Sequence, residues 1–226
     1  MVGYKTFVFN QLRENTVVIW DDGFPECAIV DPGCITGDEI SEVEGFIAWK
    51  GLHPVKILLT HGHFDHIYGV KALSEKYGID VLMHPADGKT VSKAALYTEA
   101  FGIPPVDNSF ITKPVREGDI VEVGKGLRFE VIETPGHTPG GVCYYCREGG
   151  LLLSGDTLFC GSIGRTDLPG GDYDALMKGI LGKIMTLPGD VQIITGHGPE
   201  TSVAEEGMRN PFLMPFNEPE PDWNNL

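Results

Sequence analysis

The chain has 226 residues, with 32 acidic against 17 basic side chains and a formal net charge of −15. That balance argues against a nucleic-acid partner, because phosphate binding needs a clustered basic field and the Lys and Arg residues here are scattered. No apolar run is long enough to span a bilayer, Met1–Trp20 lacks the order of a signal peptide, and five cysteines are too few for a secreted disulfide framework. The expectation is therefore a cytoplasmic chain with no membrane partner. No linker or repeat divides it, so one domain is expected over 1–226, and no feature of the sequence sets an oligomeric state.

In chain order, apolar runs at 17–20 and 27–31 read as strands. Thr36-Gly-Asp-Glu39 reads as a capping box opening a helix whose face is Ile40, Val43, Phe46 and Ile47, with Gly51 as its stop. A strand over 55–60 runs directly into Thr60-His-Gly-His-Phe-Asp-His66, and a helix is expected from near His66 to Tyr77. Further strands are expected at 81–84, 121–123, 127–134, 142–146, 151–155 and 191–195. Between the last two, Asp172 is placed to cap a helix with Leu176, Ile180, Ile184 and Leu187 on one face. Residues 200–209 read as a short helix, and 210–226, which carries four prolines, as an extended tail on the surface.

Three imidazoles and a carboxylate within six positions, His61, His63, Asp65 and His66, are costly to pack unless a cation unites them. In an extended segment residues two apart point the same way, so His61 and His63 can grip one ion while Asp65 and His66 turn toward another. Three later strand ends each deliver one more ligand type among small residues: His137 in Thr-Pro-Gly-His-Thr-Pro, Asp156 in Ser-Gly-Asp-Thr and His197 in Thr-Gly-His-Gly. Seven ligands suit two metals, with His61, His63 and His137 on one, Asp65, His66 and His197 on the other, and Asp156 bridging. Such a pair acts as a Lewis acid and lowers the pKa of shared water to ~7, which licenses hydrolysis. Imidazole with carboxylate suits zinc, the expected ion, and also iron and manganese.

Other residues receive narrower readings. Arg165, on a glycine-lined loop after Asp156, is placed to clamp a substrate carboxylate, with a salt bridge to Asp167 as the structural alternative. Cys143 and Cys146, three apart on a strand, face opposite sides and so cannot pair as a redox dithiol. Cys160 lies close in sequence to Asp156 but reads as packing, and His53 and His84 as structural.

The order His-x-His-x-Asp-His, then an isolated His, Asp and His, resembles the metallo-β-lactamase superfamily over residues 20–200. Asp156-Thr-Leu-Phe, the run Gly161 to Gly171 and Gly196-His-Gly-Pro-Glu-Thr201 look like the single-domain glyoxalase II-like hydrolases. The resemblance implies an α/β fold, a four-layer αββα sandwich of two mixed sheets flanked by helices. It also implies hydrolysis of an acyl thioester, such as S-lactoylglutathione, by a metal-bridging hydroxide, with Asp65 serving catalysis as well as metal. Metallo-β-lactamases commonly carry Cys or Ser where Asp156 stands, so antibiotic cleavage is not the implied main activity. Two-domain glyoxalase II enzymes append a helical domain with basic glutathione contacts, whereas the residues after His197 here hold Arg209 as their sole Lys or Arg. The alternative within the same likeness is a persulfide dioxygenase using one iron on His61, His137 and Asp156.

Overall fold

Strands that are apolar at every position are strands buried on both faces, and this chain uses them to separate three cores. The computed structural model describes residues 1–217, with Ala100, Phe101, Pro215 and Asn217 described by their backbone alone. One sheet runs β1 (Val2–Phe9), β2 (Glu14–Asp21), β3 (Glu26–Val30), β4 (His53–Leu58), β5 (Asp80–Met83) and β6 (Thr112–Pro114) in spatial as well as chain order. β1 to β3 pair antiparallel, and β3 to β6 pair parallel. The parallel crossovers carry α1 (Gly37–Lys50), α2 (Val70–Tyr77) and α3 (Gly88–Phe101).

The second sheet contains β7 (Ile120–Val123), β8 (Leu127–Glu133), β9 (Val142–Cys146) and β10 (Leu151–Gly155), an antiparallel meander. The chain then makes a small hairpin, β11 (Leu158–Phe159) with β12 (Ser162–Ile163), and a helix, α4 (Tyr173–Gly182). It returns as β13 (Gln192–Thr195), parallel to β10, followed by β14 (Thr201–Ser202), α5 (Val203–Arg209) and α6 (Met214–Asn217).

Side-chain parity sorts these elements into layers. Val17 and Ile19 of β2 and Val30 of β3 pack against Phe129 and Val131 of β8 and Leu151 and Leu153 of β10, filling the space between the sheets. The alternate residues Val18, Trp20 and Ile29 meet Val43 and Ile47 of α1 and Val70 and Leu73 of α2. On the far side Cys143, Tyr145 and Leu152 meet Leu176 and Ile180 of α4 and Val203 of α5. The architecture is thus αββα, as the family resemblance implies. Each large apolar side chain buried this way contributes roughly 1.5–3 kcal/mol, so a register slip that reversed one strand would forfeit several such terms.

The capping box forms as read: Thr36 Oγ1 accepts from Glu39 N at 3.2 Å, Glu39 Oε2 accepts from Thr36 N at 2.9 Å, and Gly51 at φ 69° ends α1. Elsewhere the structure departs from expectation. β1 has no clear sequence signature because it is an edge strand, partly exposed along much of its length, that pairs all eight of its residues with β2. Among the described side chains of α3 the buried ones are Val91, Ala94, Thr98 and no other, which leaves its apolar periodicity faint. The helix expected from His66 begins at Val70, after a 3₁₀ turn over Phe64–His66. The surface tail expected from residue 210 is packed in its first part: Asn210 and Leu213 are buried and α6 follows, because Asn210 Nδ2 donates to Ser162 O and Glu206 Oε2. The rest of that expectation, residues 218–226, lies outside the described residues.

Candidate metal centre

Ligand-bearing loops leave the carboxyl ends of β4, β8, β10 and β13, the rim where sheet proteins of this kind gather ligands. All seven side chains singled out from the sequence converge there, from stretches spread over more than half the chain. The donor atoms of His61, His63 and His137 lie within 4.8 Å of one another, as do those of Asp65, His66 and His197. His63 Nδ1 stands 2.8 Å from His137 Nε2, and His66 Nε2 stands 3.2 Å from His197 Nε2. Two nitrogens bound to one tetrahedral zinc at ~2.0–2.1 Å are about 3.3 Å apart, so these separations suit a shared ion. Asp156 spans the two groups, with Oδ2 3.3 Å from His137 Nε2 and 3.6 Å from His197 Nε2 and Oδ1 3.4 Å from His66 Nε2.

A direct test of fit is whether polar atoms at the centre are orphaned. His61 Nε2 and Asp156 Oδ1 are both buried without a hydrogen bond. Orphaned buried polar atoms are costly, and a divalent cation would satisfy a ring nitrogen and a carboxylate oxygen together. The donor set fits the ions expected from the sequence.

Backbone and carboxylate partners fix which ring atom faces inward. His137 Nδ1 donates to Arg165 O at 2.8 Å and His197 Nδ1 to Leu12 O at 3.0 Å, because carbonyls only accept. His66 Nδ1 meets Asp31 Oδ2 at 3.2 Å, and His61 Nδ1 meets Thr60 Oγ1 at 3.1 Å, whose own proton goes to Asp31. Four rings therefore present Nε2 to the centre, while His63 presents Nδ1. Glycines allow this crowding: a Cβ on Gly196 would collide with Asp156 Oδ1 and the His66 ring, and one on Gly155, at φ 50°, with Thr60.

The two triads differ electrostatically. Burial and the surrounding imidazoles push His61 well below its ordinary pKa, and burial with His137 lowers His63 to about 4. In the second triad burial acts the same way on His66, but the carboxylates of Asp156, Asp65 and Asp31 outweigh it and raise His66 well above its ordinary value. His197 is also raised against burial, chiefly by Asp65 and Asp156. Burial opposes ionisation of Asp65, yet His66 and His197 hold its carboxyl below the usual range.

Three residues that the sequence reading did not single out support the site. Asp31, at the end of β3, accepts from Thr60 N at 2.7 Å besides holding His66. Its position beside β4, where Asp-Pro-Gly ends an apolar run, was the available signal. Asp87 accepts from Gly62 N at 2.7 Å, Thr138 Oγ1 at 2.8 Å and Gly140 N at 2.7 Å, tying the loop of His61 and His63 to that of His137. Glu14, fully buried, has Oε1 4.0 Å from His66 Nδ1, and burial raises its carboxyl well above the usual range. Neither carries a local sequence signal, since each acts on residues dozens of positions away. Arg165 lines the cavity over the centre but pairs with Asp167 through two 2.8 Å hydrogen bonds, the alternative noted from sequence. Cys143 and Cys146 sit in different cores, as strand parity requires, and Cys160 is exposed.

Four αββα layers with a histidine- and aspartate-lined rim define the class, that of the metallo-hydrolases. The chain belongs to the metallo-beta-lactamase superfamily, whose family model matches residues 10–197. Among curated relatives it is 40% identical to a probable metallo-hydrolase, YqgX of Bacillus subtilis, covering 85% of this chain and 89% of that one. It is 36% identical to hydroxyacylglutathione hydrolase GloC of Haemophilus influenzae, covering 89% of this chain and 93% of that one. Among solved structures, BLEG-1 B3 metallo-beta-lactamase superposes with a TM-score of 0.82 at 33% identity, covering 93% and 99% of the two chains. TTHA1623 in a di-iron-bound form matches with a TM-score of 0.82 at 36% identity, covering 92% and 100%.

Proposed function

We propose that this protein is a dinuclear metal-dependent thioesterase of the glyoxalase II type. His61, His63 and His137 hold one ion, Asp65, His66 and His197 the other, and Asp156 lies between them. The observation that carries the reading is the pair of triads, His61 with His63 and His137 and Asp65 with His66 and His197, gathered on either side of Asp156. The likeness to GloC, named as a hydroxyacylglutathione hydrolase, supports the thioester as substrate. Divalent ions held there would supply Lewis acidity for the acyl oxygen and lower the pKa of a water toward ~7.

The chain's own groups do the rest. Asp65, kept ionised beside His66 and His197, accepts a proton or orients the attacking water. The water oxygen bonds to the acyl carbon, the C–S bond breaks, and the sulfur leaves without strong acid assistance because thiols have pKa near ~8.5. An Asp65→Asn variant that kept both ions and full activity would remove this role. The dioxygenase alternative uses one iron on His61, His137 and Asp156; the loop Leu168-Pro-Gly-Gly and the run Gly196-His-Gly-Pro-Glu-Thr201 favour the hydrolase. Zinc is the expected ion, with iron or manganese as alternatives. A cytoplasmic setting agrees with five free cysteines; no helix among the described residues is long and apolar enough to cross a membrane.

The test is elemental analysis of protein purified without added metal, with turnover of S-lactoylglutathione measured on the same preparation. About two ions per chain with thiol release support the proposal. One iron per chain, with oxygen uptake on a persulfide and no thioester turnover, overturns it. The B3 metallo-beta-lactamase likeness makes a chromogenic cephalosporin the control, and hydrolysis of it in preference to thioesters would also overturn it.

A further inference from the structure

The cavity above the metal centre encloses about 430 Å³, and its walls are built from elements far apart in sequence. Leu12 comes from the β1–β2 turn, Phe64 from the 3₁₀ turn, Tyr97 from α3, Phe159 and Ile163 from the hairpin, and Leu168 from the loop after it. Below this apolar collar lie the ligand histidines and aspartates. Among the lining residues Arg165 is the one Lys or Arg, and its Nε and Nη2 are both committed to Asp167. Moving the guanidinium onto a substrate carboxylate would uncover the Asp167 charge beside an anionic ligand, so the pair offers little net attraction to one.

A substrate reaching the centre must therefore place uncharged, apolar atoms against the collar. A cavity of this kind favours ligands in proportion to the apolar surface they bury, about fourfold per methylene. We propose that the cavity selects thioesters with an uncharged aliphatic acyl chain, in preference to a hydroxyacyl group on a carboxylate-bearing thiol such as glutathione. This rests on the thioesterase reading above and specifies the substrate for it.

The test compares acetyl, butyryl and hexanoyl thioesters of N-acetylcysteamine, a thiol without carboxylates, with S-lactoylglutathione, using the metal-loaded protein. kcat/KM is expected to rise on the order of 100-fold from acetyl to hexanoyl, and S-lactoylglutathione to do no better than the acetyl ester. Leu12→Ser and Tyr97→Ser should flatten that slope. Calorimetry with the matching S-alkyl thioethers, which cannot be hydrolysed, should show affinity rising with chain length and a negative heat-capacity change. Thioester turnover with no chain-length dependence in rate or binding defeats the substrate inference and leaves the thioesterase reading standing. Chain-length-dependent thioether binding without turnover of any thioester overturns the thioesterase reading, and the substrate inference with it, leaving the cavity an apolar binding site. A selective loss of S-lactoylglutathione turnover in Arg165→Gln would show a carboxylate clamp at work and overturn the inference.

Discussion

Asp87 joins two ligand-bearing loops through three hydrogen bonds to donors beside His61, His63 and His137. Truncating it to Ala leaves three donors without their acceptor at about 1–3 kcal/mol each, so Asp87→Ala should lower the melting temperature clearly. It should also weaken the ion held by His61, His63 and His137 about 10- to 100-fold while sparing the other, as read by competition with a metal chelator. Equal weakening of both ions would show a general loss of structure. The opposite polarisation of the triads makes a second prediction. In metal-free protein the surroundings oppose protonation of His61 and His63 and favour it at His66 and His197, so metal entering the second triad displaces protons that the first triad does not hold. Calorimetric zinc titrations in buffers of different ionisation enthalpy should show proton release as the second triad fills, growing as the pH is lowered from 8 toward 6. As pH falls from 8 toward 5, the ion beside Asp65 and His66 should be lost first, since His63 resists protonation down to about 4. Stoichiometry after dialysis at each pH checks the order.

At the scale of elements, α1 is held at its start by more than its own cap. Glu39 accepts from Thr36 N and Ile35 N through Oε2 and from Asn10 N through Oε1, and so ties the helix to the β1–β2 turn that carries Leu12 and Arg13. Asn10 in turn donates to the carbonyls of Gly33 and Asp65, reaching the metal loop itself. Thr36→Ala should cost about 1 kcal/mol, the ordinary worth of a cap. Glu39→Ala should cost more, because it frees three donors, and should also move the turn that supplies the Leu12 carbonyl to His197. Denaturant unfolding of both variants, at unchanged slope, measures the difference; equal costs would confine Glu39 to the cap.

The whole molecule buries ionisable groups that its unfolded chain exposes, and stability at alkaline pH follows. Burial raises Cys27 to about 12 and Cys143 to about 11, against an ordinary thiol value of 9.0. Above pH 9 the unfolded chain gives up these protons while the folded one keeps them, so the folded state binds more protons and stability falls as pH rises. The slope is up to about 1.4 kcal/mol per pH unit per thiol, lasting until the folded values are reached. Melting temperatures between pH 8.5 and 11 for wild type and Cys27→Ser test this: the variant should lose less stability across that range. In native protein at pH 8, a thiol reagent should modify Cys160, the exposed cysteine, well before the four buried ones.

The sequence by itself determined the strands buried on both faces, the capped starts of α1 and α4, and the seven side chains that converge at the rim. Those features are written in local spacing: apolar runs, a capping box, and residues two apart on an extended segment. It could not reveal β1 or α3, whose exposed faces dilute the apolar period, nor the burial of Asn210 and Leu213, which depends on Asn210 meeting Ser162 and Glu206. Tertiary structure alone decided that Asp31, Asp87 and Glu14 stand behind the ligands, that Arg165 closes on Asp167, and that the cavity has an apolar collar. Each joins groups distant in the chain, or selects among partners a residue has in reach, and only the packing of two sheets and their loops brings one such arrangement about.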